Sequence, residues 1–144
     1  MKAITLSAEK APRKEYHLTE WEIQTGKVVQ GNKVWRNPKL EIGDIPDPKP
    51  KPAEVVIEVK AAGICGSDVH FYETDSDGYI LYPGLTRFPV IVGHEFSGEV
   101  VEVGADVKDL RIGDRVTAEE MVWCGFCRSC RDGFPNHCQN LEEI

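Results

Sequence analysis

The sequence has no long apolar stretch: none of its uninterrupted apolar runs nears the ~20 residues that a membrane-spanning helix needs. Its N-terminus, Met1-Lys2-Ala3-Ile4-Thr5-Leu6, carries neither the apolar core nor the cleavage site of a secretory signal. Basic residues are in deficit, with 17 Lys plus Arg against 24 Asp plus Glu and a formal net charge of −7. An acidic chain without a basic stripe argues against nucleic acid as a partner. These absences point to a soluble, cytoplasmic protein without a membrane partner. There is no long amphipathic helix and no internal repeat, and no G-x-G-x-x-G follows a strand, so a dinucleotide-binding turn is missing from these residues. A length of 144 residues, 41% of them hydrophobic and 28% charged, is that of one globular domain.

What is present reads as β structure. Lys2–Leu6 alternates as a short strand, and Glu54–Ala62 is a half-buried one. Phe88–Val92 and Phe96–Val103 continue the rhythm, and Gly113-Asp114-Arg115-Val116 turns into another strand. Residues 7–40 read as a long loop, with Lys27–Gln30 pairing Lys33–Arg36 across Gly31-Asn32 as a hairpin. Residues 67–73 start a short helix with Ser67 as N-cap. Residues 74–89 are a loop rich in Gly, Pro, Asp and aromatics. Alternate prolines at 46, 48, 50 and 52 make a stiff, extended connector; the same pattern also serves as an SH3 ligand in other contexts. Short strands with frequent Gly and Pro turns indicate a mainly β fold, best fitted by a small, partly open barrel.

The five cysteines are unevenly spread. Cys124, Cys127, Cys130 and Cys138 fall within fifteen residues in the pattern C-x2-C-x2-C-x7-C. Without a secretion signal, such clustering indicates a metal rather than disulfides. One loop can supply three thiolates to a tetrahedral ion, and the fourth arrives after the turn at Gly133-Phe134-Pro135. Four sulfurs select zinc or iron, and a closed set leaves no open position, so the ion would be structural. Bacterial ferredoxins use a related spacing, but with a shorter last interval and a proline after the fourth cysteine.

That leaves Cys65, displayed between Gly63 and Gly66 at a strand end, and His94, in Gly93-His94-Glu95 at another. Two cysteines and one histidine form one known ligand set of catalytic zinc, which keeps a position open. Taken singly, such a cysteine also reads as a small buried hydrophobe, and such a histidine as an ordinary core or surface residue. Ser67 and His70 complete Cys-x-Ser-x-x-His, where a hydroxyl can take a proton and a histidine can pass it on. Ser67 as a helix cap and His70 as an exposed polar residue are the plainer alternatives. Asp68 could orient His94.

In combination, these segments resemble a known family. Ala61-Ala62-Gly63-Ile64-Cys65-Gly66-Ser67-Asp68-Val69-His70, Gly93-His94-Glu95-Phe96-Ser97-Gly98 with Gly104 downstream, Gly113-Asp114-Arg115-Val116 and the cysteine stretch ending Asn136-His137-Cys138 occur in one order over most of residues 40–140. They resemble the N-terminal part of zinc-dependent medium-chain alcohol dehydrogenases, in the sorbitol and threonine dehydrogenase branch. Lys33–Arg36, Gly78–Thr86 and Cys138-Gln139-Asn140-Leu141 are most similar to members acting on inositol-like ring alcohols.

The resemblance implies a GroES-like β-barrel with a four-cysteine lobe over residues 119–140. It implies a catalytic zinc on Cys65 and His94, with Glu95 as a neighbouring or exchanging ligand, and a structural zinc on Cys124, Cys127, Cys130 and Cys138. Ser67 would accept the alcohol proton and His70 would relay it outward. The substrate would be a polyol or cyclic alcohol, and NAD or NADP would be held by a Rossmann domain absent from these residues. Family members are more than twice this length, so residues 1–144 read as the incomplete N-terminal part of a GroES-like catalytic domain. The third catalytic ligand and part of the barrel would lie beyond residue 144, and the complete enzyme would be a homo-oligomer. Residues 9–40 and 72–89 are longer than is usual in the family, and the second segment, next to His70, is a candidate specificity element. A non-catalytic zinc module that meets a partner chain is the rival reading, and a ferredoxin-like carrier is a third.

Overall fold

The computed structural model describes residues 1–138 and 140–143; Gln139, within one of the segments quoted above, lies outside the described residues. The elements in order are β1 (Lys2–Lys10), α1 (Glu20–Thr25), β2 (Trp35–Asp44), β3 (Val55–Ala62), α2 (Gly66–Tyr72), β4 (Val90–Ile91), β5 (Phe96–Val103), β6 (Arg115–Thr117), β7 (Met121–Val122), α3 (Arg128–Arg131) and β8 (Glu142–Glu143). The chain is mainly β, as its patterning predicts. No helix among the described residues is long and apolar enough to cross a membrane. Two compact units form: Met1–Pro48 with Ile64–Gly93, and Lys49–Gly63 with His94–Ile144. The first passage between them falls inside the proline-rich connector, which adopts no regular strand or helix.

In the first unit, β1 pairs antiparallel with β2 on one edge and β4 on the other. The β1–β2 register shifts between Ser7 and Glu9, and β2 carries the extra residue. Asn37 sits at that bulge with φ 52°, a left-handed conformation that asparagine tolerates, and Pro38 follows where no ladder donor is needed. The core of this unit is Val28, Val34, Trp35 and Ile80, with Tyr16, Leu18, Phe71, Tyr82 and Phe88 packed around it. Trp35 meets Phe88 edge-on, with ring centroids 5.1 Å apart. The two long segments, 9–40 and 72–89, therefore supply this core between them.

The region expected to be a loop with a hairpin is built differently. Lys27–Gln30 is not a strand: Val28 bridges Thr86 instead, and Gly31–Lys33 is a 3-10 turn. The reason is long-range packing. Gly31 lies so close to Thr86 that a Cβ there would come within 2.7 Å of the threonine hydroxyl, and its N–H donates to Gly84 O. Upstream, α1 begins with a capping box, in which Thr19 and Glu22 satisfy each other's backbone N–H groups. It ends at Gly26, with φ 71°.

In the second unit, β5 lies between β3 and β6 in an antiparallel sheet. Gly104 ends β5 against the connector: a Cβ there would stand 2.1 Å from the Lys51 carbonyl, so only glycine fits. Its N–H donates to Glu54 O, and that of Asp106 to Pro52 O. β6 is confined to Arg115–Thr117, after a turn closed by Arg111 N–H on the Asp114 carboxylate. Beyond it, β7 and β8 form a two-stranded ribbon around the cysteine segment, a pairing that the sequence patterns do not signal.

Candidate metal centres

Four sulfur atoms converge in the second unit. The Sγ atoms of Cys124, Cys127, Cys130 and Cys138 all lie within 4.8 Å of one another. Cys127 starts α3, which carries Cys130, and a 3-10 turn at Pro135–His137 delivers Cys138. Gly125, with φ 74°, allows the tight path between the first two. None of the four is in a disulfide. Cys127 and Cys130 Sγ are 3.5 Å apart, far beyond a bonded pair at about 2.05 Å. A tetrahedral ion with sulfur arms of about 2.3 Å spaces its ligands by roughly 3.8 Å, so the donor set fits one such ion. A cluster would interpose its own iron and sulfide atoms and force the sulfurs further apart.

Backbone N–H groups point at these sulfurs. Cys127 N donates to Cys124 Sγ at 3.3 Å, and Cys124 N and Asn140 N donate to Cys138 Sγ at 3.4 and 3.3 Å. The Asn140 side-chain amide donates to Cys124 Sγ at 3.6 Å. Burial works to raise the Cys124 thiol, but the Asn140 amide, the Phe126 and Cys127 N–H groups and the Cys138 thiol outweigh it and bring the group down to about 6. Cys130 goes the other way, to about 12, through burial and the neighbouring thiols. Asn140 was not among the expected site residues; it lies two positions past the last cysteine, where an amide can fold back onto the loop.

The other expected ligands lie at the ends of strands. In the first unit Cys65 is half-buried and is itself the N-cap of α2, so Ser67 is inside the first turn and not the cap. The cap is closed by Asp68, whose Oδ2 accepts from Cys65 N–H at 3.0 Å. Its Oδ1 accepts from Gly93 N–H at 3.2 Å, so one carboxylate ties the backbone of Cys65 to that of the residue before His94. Ser67 is half-buried and His70 exposed, three positions apart and therefore on one face of the helix. The carbonyl of His70 accepts from Leu81 and Tyr82 N–H, both at 3.1 Å, which docks the long 72–89 segment on the end of α2.

In the second unit His94 and Glu95 precede β5. Gly63 N–H donates to Glu95 O at 2.6 Å, and a Cβ on Gly63 would lie 2.8 Å from Glu95 Oε2. His94 Nε2 stands 3.2 Å from Glu120 Oε2, a carboxylate that the sequence reading did not single out.

A family model for the alcohol dehydrogenase GroES-like domain matches residues 51–143. The scyllo-inosose 3-dehydrogenase of Thermotoga maritima is 52% identical over 151 aligned positions, which take in 100% of this chain and 38% of that protein. A solved structure from Thermotoga maritima, provisionally assigned as an alcohol dehydrogenase, matches with TM-score 0.94 and 51% identity over 99% of this chain and 38% of that one. A second, from Sinorhizobium meliloti 1021, is provisionally assigned as a zinc-binding dehydrogenase and was solved bound to NADP. It matches with TM-score 0.59 and 36% identity over 82% of this chain and 31% of that one. The chain thus spans less than two fifths of the length of these relatives.

Proposed function

The chain belongs to the alcohol dehydrogenase family with a GroES-like domain, and from that premise we propose that it is the metal-binding N-terminal portion of a zinc-dependent, nicotinamide-linked dehydrogenase. The reaction is oxidation of a secondary hydroxyl to a ketone, and the substrate class is a polyol or an inositol-like ring alcohol. The Thermotoga maritima relative, similar along the whole chain, supports that class. The lobe over residues 119–140 would hold a structural zinc on Cys124, Cys127, Cys130 and Cys138. Cys65 and His94, with Glu95 as the adjoining carboxylate, would hold the catalytic zinc together with a donor outside these residues.

The observation that carries this reading is the double acceptance by Asp68. By binding Cys65 N–H and Gly93 N–H at once, it fixes the two backbone segments that present a thiol and an imidazole. Zinc bound there supplies Lewis acidity that makes an alcohol hydroxyl easier to deprotonate. Ser67, inside the first turn of α2 and three residues from His70, takes that proton on its hydroxyl. His70, exposed at the other end of the turn, gives it to solvent. NAD or NADP, held by another part of the protein, is the hydride acceptor that this reaction class requires.

Native mass spectrometry of the chain, before and after a mild chelator, tests the metal content. Two zinc ions are expected, one readily lost, and the labile one missing from Cys65→Ala. One tight zinc alone would mean that only the cysteine lobe is formed and that the second site needs the donor outside these residues; a labile zinc that survives in Cys65→Ala would refute the second site.

A further inference from the structure

The imidazole of His94 is faced by Glu120 for a reason built into the sheet. In the β5–β6 pair, Ser97 lies opposite Thr117, Gly98 opposite Val116 and Glu99 opposite Arg115. Carrying that antiparallel register three residues further along each chain puts His94 opposite Glu120. The Thr117 hydroxyl donates to Phe96 O at 2.8 Å, which clamps the two chains together where the ladder ends. Cross-strand neighbours at such a position are close enough for their side chains to interact. The separation found between His94 Nε2 and Glu120 Oε2 is 3.2 Å. His94 is largely covered, with 21% of its side chain exposed, while the Glu120 side chain is 49% exposed and reaches it from the open side.

We propose that Glu120 is a positioning residue for the metal ligand His94: its carboxylate fixes the orientation of the imidazole and strengthens the binding of a divalent ion there. The inference rests on the reading of His94 as a zinc ligand. A carboxylate beside a ligating histidine makes the ring more basic and holds its rotamer, and removal of such a partner typically costs about 10–100-fold in metal affinity. The 3.2 Å separation is hydrogen-bond range for Nε2–H, the contact by which a carboxylate orients an imidazole whose other nitrogen holds the ion. The surroundings favour a cation as well. The open groove alongside, about 440 Å³, is lined by Glu95, Glu119 and Glu120 around His94, with Ser97 and Thr117 at the strand end.

The test is cobalt(II) titration of the full-length protein, which includes the donor outside these residues, followed by its visible d–d absorption and repeated in competition with a chelator. The four-sulfur cage serves as an internal reference. In the wild type, cobalt fills the cage first and then a second, weaker site. Glu120→Gln keeps the shape and removes the charge: it is expected to weaken the second site at least tenfold and alter its absorption bands, with the cage unchanged. Glu120→Asp, which keeps the carboxylate on a shorter arm, recovers part of the loss. Glu119→Gln removes the same charge one residue away and leaves the second site within about twofold of wild type. The proposal is overturned if Glu120→Gln binds the second ion as tightly as wild type, or if Glu119→Gln weakens it equally, since the effect would then be bulk charge alone. A full-length wild type that takes cobalt only in the cage overturns the reading of His94 and the proposal with it, so the two failures are distinct.

Discussion

The Tyr16 hydroxyl donates to the carboxylate of Glu22 at 2.5 Å, and that carboxylate is buried, with 1% of the residue exposed. Glu22 also accepts from Thr19 N–H at 2.8 Å, the Thr19 hydroxyl at 3.0 Å and Val29 N–H at 2.9 Å. Burial alone would raise its pKa, but these donors outweigh burial and bring it from 4.5 down to about 2. A carboxylate depressed on folding adds stability above its unfolded value and loses it as pH falls through the folded one. Glu22 therefore contributes about 3 kcal/mol at neutral pH, at 1.36 kcal/mol per pH unit, and the contribution disappears between roughly pH 4.5 and 2. Thermal unfolding from pH 7 to 2.5 checks this against Glu22→Gln, which sets an amide against four donors and costs about 1–3 kcal/mol at pH 7. An equally steep acid loss in the variant would remove Glu22 as its source.

Gly104 → Ala addresses the attachment of the proline-rich connector. The added methyl would meet the Lys51 carbonyl at 2.1 Å and the Pro52 carbonyl at 2.4 Å, both backbone atoms that cannot rotate away. Overpacking of this kind typically costs about 1–3 kcal/mol. We expect a lower denaturation midpoint for the second unit and faster amide exchange at Gly104 and Asp106, whose N–H groups hold Glu54 O and Pro52 O at the end of the connector. Unchanged exchange at both amides would show that the connector can shift without loss.

How much of this was legible depended on sequence separation. The strands Val55–Ala62 and Phe96–Val103 follow from local alternation, and the four-sulfur cage from spacing within fifteen residues. α1 was missed although its signals, Thr19-x-x-Glu22 and a closing Gly26, are local; turn-formers nearby suggested a loop instead. The expected hairpin at Gly31-Asn32 failed because Val28 pairs with Thr86, fifty-eight residues away. The Ser67 cap gave way to Cys65 because Asp68, three residues after the cysteine, can reach its N–H. Glu120 was invisible for a further reason: its place beside His94 exists only once β5 and β6 are in register.

Arg13 holds the two long segments of the first unit together. Its guanidinium pairs with Asp75, lies 3.3 Å from Asp77 Oδ2 and stacks 3.9 Å over the Tyr79 ring. The planar fork serves all three contacts at once, which a lysine cannot do. Arg13→Ala and Arg13→Lys should both loosen residues 74–80, the alanine variant more. Hydrogen exchange reads this at Tyr79 N–H, which is held by the Asp75 carboxylate. Wild-type protection in Arg13→Ala would show that the 72–89 segment is fixed by its core contacts alone.

The two proposed metal sites should respond to cysteine removal in opposite ways. Around the cage, Phe126 and Phe134 are 69% and 59% exposed, so among the described residues no apolar core supports the lobe and the four sulfurs take that place. Cys127, only 8% exposed, sits at the middle of the set. In the intact dehydrogenase, Cys127→Ala should lose the tightly held zinc and open residues 121–138 to limited proteolysis. Cys65 caps α2 through its backbone N–H, which alanine keeps, so on the proposed function Cys65→Ala should keep the protease pattern and the melting temperature of the wild type while abolishing turnover. Retained turnover in Cys65→Ala removes that residue from the catalytic site. A protease-resistant lobe in Cys127→Ala shows that the β7–β8 ribbon holds the segment without its ion.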